Sequence, residues 1–162
     1  MSHAITLDTD RFLRDLLAAA KASNVFADVA LTNGELRCKA KDAAADAWYS
    51  IVAQAGGWWV RLATPDRWLS ESIETDLMHY GDPIEELVEE ELVELGHDPK
   101  RHPAMPTVKH FRSEDKLYTF ENPVPLGEVA DASAAAEVAT RYLLAYEAAF
   151  RQLGDMAGGD DE

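Results

Sequence analysis

The hydrophobic positions of this chain change period several times, and each change marks an element. Over residues 10–22, Phe12, Leu13, Leu16, Leu17 and Ala20 recur at the three- and four-residue spacing of a helix with one buried side. Asp8 or Thr9 stands in the N-cap position and Asn24 follows the end. The period then drops to two. Val25, Ala27, Val29 and Leu31 alternate with more polar residues, and Asn33-Gly34 supplies the positive-φ pair of a tight turn. Leu36, Cys38 and Ala40 resume the alternation. A two-residue loop sets Leu31 opposite Leu36, Val29 opposite Cys38 and Ala27 opposite Ala40, with Asp28 meeting Lys39 on the other face.

A second hairpin is predicted over residues 48–55 and 58–64, turning at Gly56-Gly57. Its pairing puts Tyr49, Ile51, Ala53, Trp58, Val60 and Leu62 on one face, and Trp48, Val52, Trp59 and Ala63 on the other. Apolar residues on both faces suit central strands, or one face kept for a partner. Trp59, beside Arg61, is the ring expected to stay exposed.

Helical spacing returns twice. Thr64-Pro65 reads as N-cap and first helical position, followed by a stripe of Trp68, Leu69, Ile73, Leu77 and Tyr80 that Gly81 ends. Asp82-Pro83 opens the next helix, in which Ile84, Leu87, Val88, Leu92 and Leu95 face inward and Gly96 stops the run. Its outer side holds Glu85, Glu86, Glu89, Glu90, Glu91 and Glu94. A proline-rich loop over residues 97–106 leads to a third hairpin, 107–112 with 116–121, and to an extended connection over 122–127. The last helix is expected over residues 132–153, capped by Asp131 or Ser133, with Ala139, Leu143, Tyr146, Phe150 and Leu153 on one side. The fold expected is α+β: an antiparallel sheet of five or six strands, N- and C-terminal helices packed on it, and a helical insertion in the middle. Residues 1–153 form the single domain, and 154–162 an acidic disordered tail.

Charge narrows the function classes. Asp and Glu number 30 against 15 Lys and Arg, giving a net charge of -15. A field of that sign repels nucleic-acid phosphates and anionic membranes, so neither is expected as a partner, and it suits docking to a basic partner. The single cysteine, Cys38, excludes an internal disulfide and fits a reducing compartment. With no apolar run near the roughly 20 residues that span a bilayer, a cytoplasmic location is expected.

Candidate chemistry is sparse. His97 and His102, with Asp98, sit in a proline-rich loop at a spacing that matches no rigid zinc pattern, so they read as solvated and no metal is expected. Cys38 falls on the inward face of its strand and reads as a small hydrophobe. Neither Gly turn leads into a helix N-terminus, so neither is a phosphate cradle, and no cofactor is expected. The glutamates of residues 83–95 read first as a solvated face, and otherwise as a surface for basic segments. Four tryptophans lie between Trp48 and Trp68, a density found both in cores and in binding hot spots.

The strand Trp58-Trp59-Val60-Arg61-Leu62 precedes an internal helix. Further on, the strand Leu117-Tyr118-Thr119-Phe120 passes through Asn122-Pro123-Val124-Pro125-Leu126 into a long Ala-, Leu-, Tyr- and Phe-rich helix. This order resembles the type III secretion chaperone-like fold, and within it the bacterial YbjN-like proteins. The resemblance implies dimers of α-β-β-β-α-β-β-α subunits that hold extended client segments on apolar sheet and helix surfaces. An extra strand and the Glu-rich helix depart from that pattern, and the fold alone does not carry secretion-chaperone activity. The function expected is therefore a non-enzymatic, homodimeric binding module for another protein or peptide. Its expected partner-binding residues are Trp48, Val52, Trp59, Glu85, Glu86, Glu89, Glu90, Tyr146 and Phe150. The alternatives are a hydrolase-type enzyme pairing a carboxylate with His110, and a small-ligand-sensing regulatory domain.

Overall fold

The computed structural model describes residues 8–98, 105–114, 116–126 and 131–157. Four α-helices and six strands follow the order α1 (Thr9–Ser23), β1 (Phe26–Thr32), β2 (Glu35–Ala40), β3 (Trp48–Gln54), β4 (Gly57–Thr64), α2 (Arg67–Tyr80), α3 (Ile84–Glu94), β5 (Lys109–Arg112), β6 (Tyr118–Pro123) and α4 (Ala132–Phe150). All neighbouring strands are antiparallel, and the sheet order is β1-β2-β3-β4-β6-β5. The first four strands thus form a meander. The β5–β6 hairpin then returns after two helices and sets β6, not β5, against β4.

Local chemistry explains most boundaries. Asp8 caps α1 by accepting from the Arg11 N–H, and Asn24 ends the helix in the left-handed conformation that Asn tolerates. Asn33 and Gly34 take φ of 51° and 79° at the first hairpin turn. Leu31↔Leu36, Val29↔Cys38 and Asp28↔Lys39 pair as the alternation predicts. One pair differs: Phe26, not Ala27, lies opposite Ala40, because the register shifts between Phe26 and Asp28. That shift turns the Phe26 ring inward against Tyr49, 5.8 Å between centroids.

The inner cap of α2 is Asp66, which accepts from the Leu69 N–H, rather than Thr64. Thr64 instead donates to the Asp46 carbonyl and accepts from the Asp66 N–H. Pro83 occupies the N-cap of α3 with no side-chain hydrogen bond, so Asp82 does not cap it. Asp131 caps α4 through the Ser133 N–H.

The helices share one face of the sheet. Phe12 of α1 meets Trp58, Tyr146 of α4 donates to Asn122, Phe150 of α4 meets Phe120, and Ser70 of α2 reaches His110. α3 packs on α4. Leu36, Cys38, Ile51, Val60 and Leu62 are buried beneath this layer with Phe12, Leu16 and Leu143. Each fully buried aliphatic side chain contributes about 1.5–3 kcal/mol relative to exposure.

The chain past residue 153 is not a free tail over its first turn. Gly154–Ala157 is a 3-10 turn packed on α2, and both Leu153 and Met156 are buried. The Gly154 N–H donates to Asp76, 2.6 Å away. Residues 158–162, and His102 with its neighbours 99–104, lie outside the described residues. Among the described residues no helix is long and apolar enough to cross a membrane.

Candidate functional site

Alternation along the strands sends Trp48, Ser50 and Val52 of β3, Trp59, Arg61 and Ala63 of β4, and Thr119 and Glu121 of β6 to the face opposite the helices. Arg37 and Lys39 of β2 and Lys109 and Phe111 of β5 join them through the register. No described helix covers this face. Ser50, Val52, Trp59, Ala63 and Thr119 on it are nevertheless buried, and long cationic side chains lie over two of its rings. The Arg37 guanidinium rests 4.4 Å from the Trp48 ring centroid, and the Lys109 ammonium 5.0 Å from that of Trp59.

The centre is polar and closed. Arg61 Nε donates to Glu121 at 2.9 Å, Arg61 Nη2 to Gln54 at 2.6 Å, and Gln54 Nε2 to the other Glu121 oxygen at 2.8 Å. Glu121 is only 4% exposed. A carboxylate so buried requires its cation and its amide together. Beside this network a cavity of about 390 Å³ opens between Arg61, Phe111, Arg112, Ser113 and Thr119.

The expected partner-binding residues separate into three places. Trp48, Val52 and Trp59 do share the helix-free face, at the paired positions Trp48↔Ala63 and Val52↔Trp59. Trp59 is not the exposed ring: it is 9% exposed under Lys109. The exposed tryptophan is Trp68, at 74%, which the helical spacing had placed inward; Met78 on the same helix is 84% exposed. Tyr146 and Phe150 are fully buried against the sheet, so they are core and no partner reaches them. On α3, Glu86 and Glu90 are exposed and Glu89 is half-buried. Glu85 accepts the Val108 N–H at 2.7 Å and so ties α3 to the strand that follows.

Other reactive groups are occupied structurally. Burial, helped by Asp28, pushes the Cys38 thiol up to about 12, which leaves it without thiolate character. His97 is buried, not solvated, with its ring edge-on to Tyr142 at 6.4 Å. No group of three His, Cys, Asp or Glu side chains suited to a metal occurs among the described residues. His110 Nε2 lies 3.4 Å from Ser70 Oγ and its Nδ1 3.4 Å from Glu74, the order of a Ser-His-carboxylate relay. Ser70, however, is 1% exposed, so its hydroxyl is not presented to a substrate. His110 instead stacks on Phe120, 3.8 Å between centroids, and fastens β5 to α2.

The class that this architecture defines is a two-layer α+β protein with one sheet face left uncovered by helices. Compared with protein-family models, with curated proteins and with solved structures, the chain matches none.

Proposed function

We propose that this protein is a non-enzymatic binding module that holds a segment of another polypeptide on the helix-free sheet face. One observation carries the reading. A six-stranded sheet leaves a whole face without a described helix, and that face holds Trp48 and Trp59 under Arg37 and Lys109, with Val52 beside Trp59 and Phe111 40% exposed beside a cavity. Aromatic anchors ringed by polar side chains are the make-up of binding hot spots. Antiparallel sheets commonly leave one face to solvent, but those faces alternate to polar residues instead of carrying tryptophans.

Panning a random peptide library on the protein tests the reading. Selected peptides are expected to lose about ten-fold in affinity on Trp48→Ala and on Phe111→Ala, as hot-spot truncations do. Peptides whose binding ignores both substitutions would refute it. Sedimentation equilibrium decides whether the module works as the homodimer expected from the sequence.

A further inference from the structure

The helix layer is not uniformly acidic. Counted with their caps, α2 and α3 carry ten carboxylates and one Lys or Arg, whereas α1 and α4 carry six and five. In a chain of net charge -15, the outer side of α1 and α4 is therefore the part of this layer where like molecules repel least. That side is also shaped to receive a helix. A groove of about 680 Å³ opens between α1 and α4, lined by Ala18 and Ala19 of the first and by Ala136, Glu137, Thr140 and Arg141 of the second. Its apolar lining is alanine, so another helix can approach closely. On α4, Ala134, Val138, Leu144 and Ala148 are only half-buried, which leaves the helix apolar surface beyond its sheet side.

We propose that a second copy of this chain covers the groove, through a two-fold axis that crosses α4 between Glu137 and Arg141. Each α4 then runs antiparallel to its counterpart. Glu137 and Arg141 stand four positions apart, about 6 Å along the helix axis. Turning the helix about their midpoint brings Glu137 level with Arg141 of the other copy, and symmetry makes the contact twice. The same turn sets Leu144 against the smaller Ala134. Opposite charges meet and a large side chain meets a small one, so the surface is complementary to itself. With the helices crossing at a usual packing angle, α4 of the second copy reaches Ala18 and Ala19 across the groove.

This interface lies on the helix layer, away from the helix-free sheet face, and does not depend on what that face binds. Two copies joined through their helix layers turn their two sheet faces outward in opposite directions. One consequence rests on the proposed binding reading: a partner that repeats its segment is held at two sites, with the gain that linkage brings. Two other occupants of the groove fit less well. An apolar small molecule suits the volume, but the groove offers it no aromatic side chain and stays open to solvent. A helix of another protein would need the Arg and Glu at the spacing that α4 already carries.

Sedimentation equilibrium tests the proposal on the full chain and on Glu137→Arg, Arg141→Glu and the two combined. Each single exchange sets like charges together at both ends of the seam, so the dimer dissociation constant is expected to rise about ten-fold. The double exchange restores opposite signs and should bring it back to within a few-fold of the unaltered chain. Ala18→Glu, at an exposed helix position that tolerates the larger side chain, should weaken the dimer as the single exchanges do. Thermal melting checks that each variant is folded. A dimer indifferent to all of these substitutions would overturn the proposal and place the two-fold axis elsewhere, while peptide binding on the sheet face would be unaffected. A chain that stays monomeric at every concentration would overturn it as well. In a monomer, shifts of the Ala18 and Ala136 methyl signals on adding decanoate would assign the groove to an apolar small molecule.

Discussion

His110 shows how one residue joins the two layers. Its ring lies flat on Phe120, interplanar angle 8°, while its nitrogens face Ser70 and Glu74 across the gap to α2. Burial lowers its pKa below the usual 6.5, and the Glu74 carboxylate only partly opposes this. The folded state therefore prefers the neutral ring and binds fewer protons than the unfolded chain. The contribution of this site to stability is complete above pH 6.5 and is lost as the pH falls through that value toward the lowered one. His110→Phe keeps the stack and removes the titration. Urea unfolding followed from pH 7.5 to pH 5 should show a shallower decline for the variant, and an unchanged decline would rule the site out as its source. Tryptophan placement belongs to this scale too. Trp59 and Trp68 both follow local patterns, yet their exposure is decided by what lies over them. Lys109 covers the first, and nothing in α2 covers the second.

At the scale of elements, the 3-10 turn Gly154–Ala157 acts as a clasp on α2. Gly154 has φ +52°, and a Cβ there would come within 2.4 Å of Ser72 Oγ, 2.6 Å of the Ser72 carbonyl carbon and 2.7 Å of the Ile73 nitrogen. Backbone at that distance does not yield as a side chain would. Gly154→Ala should cost about 1–3 kcal/mol, the range for overpacking, with the strained φ adding to it. Met156→Ala should cost about 2–5 kcal/mol by opening a cavity. Chemical denaturation measures both, and wild-type stability in each would show that the clasp is dispensable. The sequence places this stretch in the acidic tail because the run ending in Gly158-Gly159-Asp160-Asp161-Glu162 outweighs one methionine. Its hydrophobic partner, α2, lies far along the chain. The first hairpin is the opposite case: period, turn residues and register all act locally, and only the shift at Phe26 escaped, since it answers to Tyr49 on another strand pair.

Over the whole molecule, a net charge of -15 makes the folded state repel itself. At 0.1 M salt charges beyond about 10 Å are largely screened. Raising sodium chloride from 0.02 to 0.3 M, about an order of magnitude, should therefore raise the melting temperature by a few degrees. Calorimetry at both concentrations checks this, and a lower melting temperature at high salt would show that paired charges outweigh repulsion. The same field bears on the site. Arg61 holds the buried Glu121 within the face, while the exposed glutamates of α3 stand in the helix layer behind it. The row Arg37, Ser50, Arg61, Glu121 and Lys109 is thus legible only after folding, because its members come from five different strands.

By itself the sequence determined the α+β class, the presence of three hairpins, the helical insertion and the two-faced character of β3 and β4, although the second hairpin turns at Ala55-Gly56 and not at Gly56-Gly57. Each of these is written in residue periods, capping groups and turn residues that act over a few positions. Tertiary structure decided that β6 lies between β4 and β5, that Tyr146 and Phe150 are core, and that Arg37, Lys109 and Arg112 gather on and beside one open face. Those outcomes depend on which distant segments pair and on what then covers each side chain, and no local pattern encodes that.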